Sequence, residues 1–117
     1  MKVYREFHGE IRKENIGKVL RSIVKTEKDN FKILTGYGSS GVVSFSKLQA
    51  IKSLKKMQKE GLIKGYLPGE VKNTLVTETS DLYENKNNFS KIIKDDPDYG
   101  NDGIIFIFVK RLFHTMS

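Results

Sequence analysis

The residues with most chemistry to offer in this sequence are a histidine with a carboxylate two positions before it, and a run of glycines farther along. Glu6 and His8 stand just before Gly9, and Thr35-Gly36-Tyr37-Gly38-Ser39-Ser40-Gly41 follows about 30 residues later. Imidazole is the usual general acid or base near neutral pH. On a regular strand, side chains two apart share a face, so Glu6 is placed to orient the His8 ring or to raise its pKa. Glycines at a strand-to-helix turn let backbone amides approach an anion, and the next helix adds the positive end of its dipole. Each signal alone also suits a structural role: a strand-end histidine, or a turn needing unusual φ angles. The glycine run is not a Walker motif. The coincidence of Glu6, His8 and the glycine turn is what points to phosphate chemistry.

The elements that must position these residues follow from hydrophobic periodicity. Val3, Arg5 and Phe7 alternate with Lys2, Tyr4 and Glu6, which predicts a short strand ending at His8-Gly9. Ile16, Val19, Leu20, Ile23 and Val24 recur with helical spacing and make one apolar stripe. Asp29-Asn30 marks a turn, and residues 31–35 read as a second strand running into the glycines. A second helix is expected with Leu48, Ile51, Leu54 and Met57 inward, Ser46 and Gln49 forming a capping box, and Gly61 at its end. Residues 64–67 suggest a third strand closed by Pro68-Gly69. Ile104-Ile105-Phe106-Ile107-Phe108-Val109 is apolar on both faces and belongs in the middle of a sheet. Strands alternating with helices imply an α/β fold with a largely parallel sheet and one late strand added. The ends of the first two strands then lie on one side of the sheet, where ligands bind. That topology makes His8-Gly9 and Thr35-Gly38 neighbours.

Charge is unevenly spread. The net charge is +7, which favours a polyanionic partner. Residues 44–64 carry six lysines and one acid, whereas residues 73–102 carry seven acids and three lysines. A basic second helix is therefore followed by an acidic excursion at about 71–102, in which Phe89, Ile92 and Ile93 suit either one short amphipathic helix or a loop. There is no cysteine, which excludes a disulfide framework and thiolate zinc sites and suits the cytoplasm. No apolar stretch is long enough for a membrane span, and the first residues lack the core of a signal peptide. The run 95–102 has the look of a calcium loop, but Ile107 stands where the bidentate Glu belongs, so a solvated acidic turn is expected. His114 sits in a basic tail with no patterned partner.

Four segments in order resemble the motifs of the small MutS-related (Smr) domain. Glu6-Phe7-His8-Gly9 is similar to the family's Asp-Leu-His-Gly, and Thr35-Gly36-Tyr37-Gly38 to its second motif, a His-Gly-x-Gly or Thr-Gly-x-Gly turn. Tyr66-Leu67-Pro68-Gly69-Glu70 is similar to its Phe-x-Pro-Gly element, and Gly100 to Ile104 to the glycine pair before the last strand. The resemblance covers almost the whole chain as one domain, 1–117. It implies an α+β two-layer sandwich, β-α-β-α-β-β, with a mixed four-stranded sheet and two main helices, like the C-terminal domain of translation initiation factor three. It also implies an endonuclease that cleaves RNA or nicks DNA, with RNA favoured as partner. His8 is then the general acid or base, and Glu6 sets its tautomer and charge. The amides of Gly36 to Gly38 hold the scissile phosphate, Thr35 adds a hydroxyl donor, and Tyr37 stacks on a base. Lys47, Lys52, Lys55, Lys56 and Lys59 track the backbone, for which a solvated helix face is the plain alternative. No cofactor is expected and no metal ligand set is assigned, with magnesium between carboxylate and phosphate left open. Three departures from the pattern stand out: Glu6 replaces the family's Asp, residues 38–68 run about two helical turns long, and the acidic excursion is an insertion. They leave two alternatives: a non-catalytic nucleic-acid-binding module, or a domain whose acidic insertion docks a protein partner.

Overall fold

The computed structural model of the chain describes residues 1–36 and 44–109. Four strands form one mixed sheet: β1 (Lys2–Tyr4), β2 (Phe31–Leu34), β3 (Ile63–Pro68) and β4 (Ile104–Val109). Among the described residues three α-helices accompany them: α1 (Ile16–Thr26), α2 (Phe45–Lys59) and α3 (Tyr83–Ile93). The sheet order is β1-β2-β4-β3. β1 and β2 pair in parallel, with Lys2 opposite Phe31 and Tyr4 opposite Ile33, while β4 runs antiparallel to both of its neighbours. The late strand thus enters the centre of the sheet, where its apolar character belongs.

The six apolar residues of β4 divide by the two-residue period of a strand. Ile105, Ile107 and Val109 pack with Phe31 and Ile33 of β2 under α1 and α2. The stripe expected on α1 is the one that packs: Ile16, Leu20 and Val24 are buried, and Val19 and Ile23 lie against the same core. Ile104, Phe106 and Phe108 face the other way, into a second cluster with Leu67, Val71, Ile93 and Tyr99. Phe89 of α3 stacks on Phe108 with ring centroids 4.5 Å apart. The acidic excursion therefore covers the second face of the sheet instead of looping away from it. The two-layer arrangement gains a partial third layer, and β4 is buried at all six positions.

One buried cation fastens that cover. Lys32 alternates out of the first core and sits on the second face, only 7% exposed, with Nζ 2.8 Å from Asp96 Oδ1 and 2.8 Å from Asp98 Oδ2. The expected solvated acidic turn is thus the counter-charge of a buried lysine. Burial works against the ionised form of Asp96, but hydrogen bonds from Lys32 and from the Asp98 amide outweigh it and hold its carboxyl below the ordinary range.

Other expectations shift by a residue or a turn. β1 ends at Tyr4, and residues 6–10 form a turn in which His8 N–H donates to the Arg5 carbonyl and Glu10 N–H to that of Glu6. The α2 cap is Ser44 rather than Ser46, its hydroxyl accepting from the Lys47 amide at 3.2 Å. The buried face of α2 is Lys47, Ala50, Leu54 and Met57, so Leu48 is left half exposed. Gly61, with φ of 80°, follows the helix as its spacing suggested.

Candidate functional site

The parallel pairing of β1 and β2 ends at Tyr4 opposite Ile33. Glu6 and Thr35 each lie two residues beyond that last pair, so both segments leave the sheet at the same edge. The edge is built from five stretches: the turn after β1, the start of the glycine run, the first turn of α2, the loop after β3 and the loop before β4.

Phe7 anchors the first stretch. It is fully buried in the core beneath α1, which leaves Glu6 partly buried and His8 exposed on either side of it. Gly9 completes the turn at φ of 106°, a left-handed value that a side chain would resist. Because this is a turn and not a strand, the same-face relation expected of Glu6 and His8 does not hold by strand geometry. The two residues share the edge through the turn instead.

Thr35 and Gly36 open the second stretch. Thr35 is fully buried; its amide donates to the Gly103 carbonyl at 2.7 Å and its hydroxyl to the same oxygen at 3.1 Å. The hydroxyl expected to serve a phosphate is thus engaged in fixing β2 to the loop before β4. Gly36 is held from both sides by the start of α2. Its amide donates to Ser46 Oγ at 3.3 Å, and its carbonyl accepts from the Ser44 hydroxyl. Two serines therefore tie Gly36 to the positive end of α2, a linkage the sequence hides behind an ordinary capping pattern. Tyr37 and Gly38, expected at the site, and His114 in the tail lie outside the described residues.

Lys47 corrects the reading of the basic helix. Its side chain is 6% exposed, and Nζ donates to Glu70 Oε2 at 2.7 Å and to the Asp102 carbonyl at 2.6 Å. It joins α2 to the loops after β3 and before β4 and cannot track a nucleic-acid backbone from there. The reason lies in the helix period: position 47 shares a face with Ala50, Leu54 and Met57, so its stem goes inward with theirs. Lys52, Lys55, Lys56 and Lys59 remain exposed. Lys55 meets Asp81 from the segment before α3, which holds the Asp81 carboxyl below its ordinary range.

The two remaining glycine motifs interlock behind this edge. Gly100 N–H donates to the Gly69 carbonyl at 2.9 Å, and Gly103 N–H to Asn101 Oδ1 at 2.9 Å. A Cβ on Gly69 would collide with the Asn101 main-chain carbonyl, so only glycine permits this approach. Glu70, brought in by the same turn, keeps one oxygen on Lys47 while Oε1 is shielded from solvent without a hydrogen-bond partner among the described residues. Ser44, Ser46 and Glu70 were not legible as site components. The only signal for them was their closeness in sequence to the glycine and Pro-Gly turns.

The edge thus combines an exposed imidazole, a carboxylate in the same turn, Gly36 tied to the start of α2, and a buried Lys47 ammonium paired with the partly exposed Glu70. Among the described residues, no three His, Asp or Glu side chains converge as metal ligands, and no helix is long and apolar enough to cross a membrane. Compared with protein-family models, with curated proteins and with solved structures, the chain matches none.

Proposed function

We propose that the chain is an Smr-like nucleic-acid-binding protein, with the fold of the C-terminal domain of translation initiation factor three, that cleaves phosphodiester bonds in RNA or nicks DNA. The observation that carries this reading is the parallel β1–β2 pairing, which brings the Glu6–Gly9 turn and the Thr35–Gly36 turn out at one edge beside the start of α2. A phosphate at that edge faces the positive end of a helix of 15 residues. His8 is exposed there and serves as general acid or base, with Glu6 two residues before it in the same turn. Lys52, Lys56 and Lys59 on the outer face of α2 supply sequence-independent attraction to the backbone. RNA is the favoured substrate, and no resident cofactor is assigned.

The test is incubation of the protein with labelled single-stranded RNA, structured RNA and supercoiled DNA. Cleavage that disappears in His8→Ala supports the nuclease, and cleavage undiminished in that variant refutes the role given to His8. One observation favours a second reading, a non-catalytic binding module: the Thr35 hydroxyl is committed to Gly103. Binding that weakens steeply with salt, without cleavage of any substrate, would select it.

A further inference from the structure

A cleft of about 290 Å³ opens between α2, β3 and the segment preceding α3, lined by Lys55, Gln58, Lys59, Tyr66 and Asp81. It lies well away from the His8 edge. At 1.5 Å per residue, Lys55 and Lys59 stand about 14–20 Å along α2 from Ser46, the residue that holds Gly36. Lys55 and Lys59 are four apart, so their ammonium groups rise from the same side of the helix. Tyr66 is 3% exposed, and its burial holds the phenol protonated, a donor at every physiological pH. Gln58 is locked by a reciprocal amide pair with Asn85, 3.0 Å in both directions, and Asn85 is held in turn by the Tyr66 carbonyl at 3.1 Å. The wall is therefore preorganised rather than a chance gap between mobile side chains.

The cleft already contains an anion of the protein's own. Asp81 pairs with Lys55 and also feels the charge of Lys59. Asp81 is 67% and Lys55 48% exposed, so the pair is of the weak, solvent-screened kind and exchanges readily for a stronger anion. A phosphate group carries more charge than a carboxylate and has acceptors for two ammonium groups and a phenol at once.

We propose that this cleft is a phosphate subsite, in which Lys55 and Lys59 grip the group, the Tyr66 hydroxyl donates to it, and Asp81 is the internal anion that it displaces. In naming where the backbone is held, the proposal rests on the nucleic-acid reading. A phosphate of the bound strand is one source, and a free phosphate monoester is the other.

Two-dimensional NMR of the full chain, titrated separately with inorganic phosphate, adenosine monophosphate and a short single-stranded RNA, tests the site. Phosphate is expected to move the Tyr66 ring resonances and the amides around Lys55, Lys59 and Asp81. Asp81→Asn should tighten phosphate by about two- to fivefold, the worth of one exposed ion pair. Lys59→Ala should weaken it at least as much, and both positions are exposed, so the remaining amide spectrum verifies the fold. If the RNA moves the same resonances and responds to the same two variants, its backbone is the source. If phosphate and the monophosphate bind there but RNA does not bind at all, the site stands, a monoester is the source, and the nucleic-acid reading falls. RNA binding that leaves the cleft resonances still, together with no response to phosphate, overturns the subsite and leaves the nucleic-acid reading untouched.

Discussion

Replacing Lys32 by methionine tests the link between the acidic excursion and the sheet. The ammonium is 7% exposed and lies 2.8 Å from each of two carboxylates, of which Asp96 is 13% and Asp98 34% exposed. Methionine matches the length of the stem but leaves those carboxylates facing each other. Removing one partner of a buried pair costs about 3–5 kcal/mol. Asp98 can rehydrate and Asp96 keeps the amide of Asp98 at 2.9 Å, so the lower end, about 3 kcal/mol, is expected. For a chain of this size each kcal/mol moves Tm by about 4 °C, so Tm should fall by about 12 °C. Circular dichroism melts at pH 7 measure it. The triple variant Lys32→Met, Asp96→Asn, Asp98→Asn removes all three charges and should return to within about 1–2 kcal/mol of the parent. The pH dependence follows the same reasoning. Asp96 is depressed, so its contribution is complete above the ordinary carboxylate range and is lost as pH falls through its lower, folded value. Burial opposes the Lys32 charge, but its two aspartates raise its pKa overall, so its contribution is complete below the ordinary lysine range and is lost only as pH rises through its higher value. The gap between parent and Lys32→Met should therefore narrow on acidification below about pH 4. A loss under about 1 kcal/mol, or a triple variant no better than the single one, would refute the buried clamp.

Gly69→Ala should destabilise the chain by about 1–3 kcal/mol in urea melts, because its Cβ would meet the Asn101 main chain, which cannot swing aside. His8→Ala should abolish cleavage while leaving Tm within about 2 °C, since the side chain is exposed; a large fall in Tm would make His8 structural. Lys47→Met should lower stability by about 1–3 kcal/mol and leave the salt dependence of RNA binding unchanged, its ammonium being engaged by Glu70 and Asp102. Lys52→Ala and Lys56→Ala should do the reverse, each reducing the slope of log K against log salt by about 0.7–0.9 in fluorescence anisotropy titrations.

The amino-acid sequence by itself determined the periodic elements and the punctuation between them. The stripe of α1, the two-faced β4 and the turns at Gly61 and Pro68-Gly69 are all local patterns, each set by residues a few positions apart. The alternation of strands and helices also carried the parallel β1–β2 pairing, and with it the shared edge of the Glu6–Gly9 and Thr35–Gly36 turns. The length of β1 was less legible, because Phe7 is buried from a turn as fully as it would be from a strand, and alternation does not distinguish the two. Tertiary structure alone decided which charges go inside. The helix period puts position 47 on the face of Ala50, Leu54 and Met57, but whether Lys32 or Lys47 keeps its ammonium inside is set by distant partners: Asp96 and Asp98 in one case, Glu70 and the Asp102 carbonyl in the other. A lysine carries an apolar stem and a charged tip, so it can sit at either surface or core, and the choice depends on counter-charges far away in sequence. The acidic excursion could not be placed for the same reason. Its apolar and acidic residues were visible, but the groups on the sheet that receive them, Lys32 for Asp96 and Asp98 and Phe108 for Phe89, lie far away in sequence.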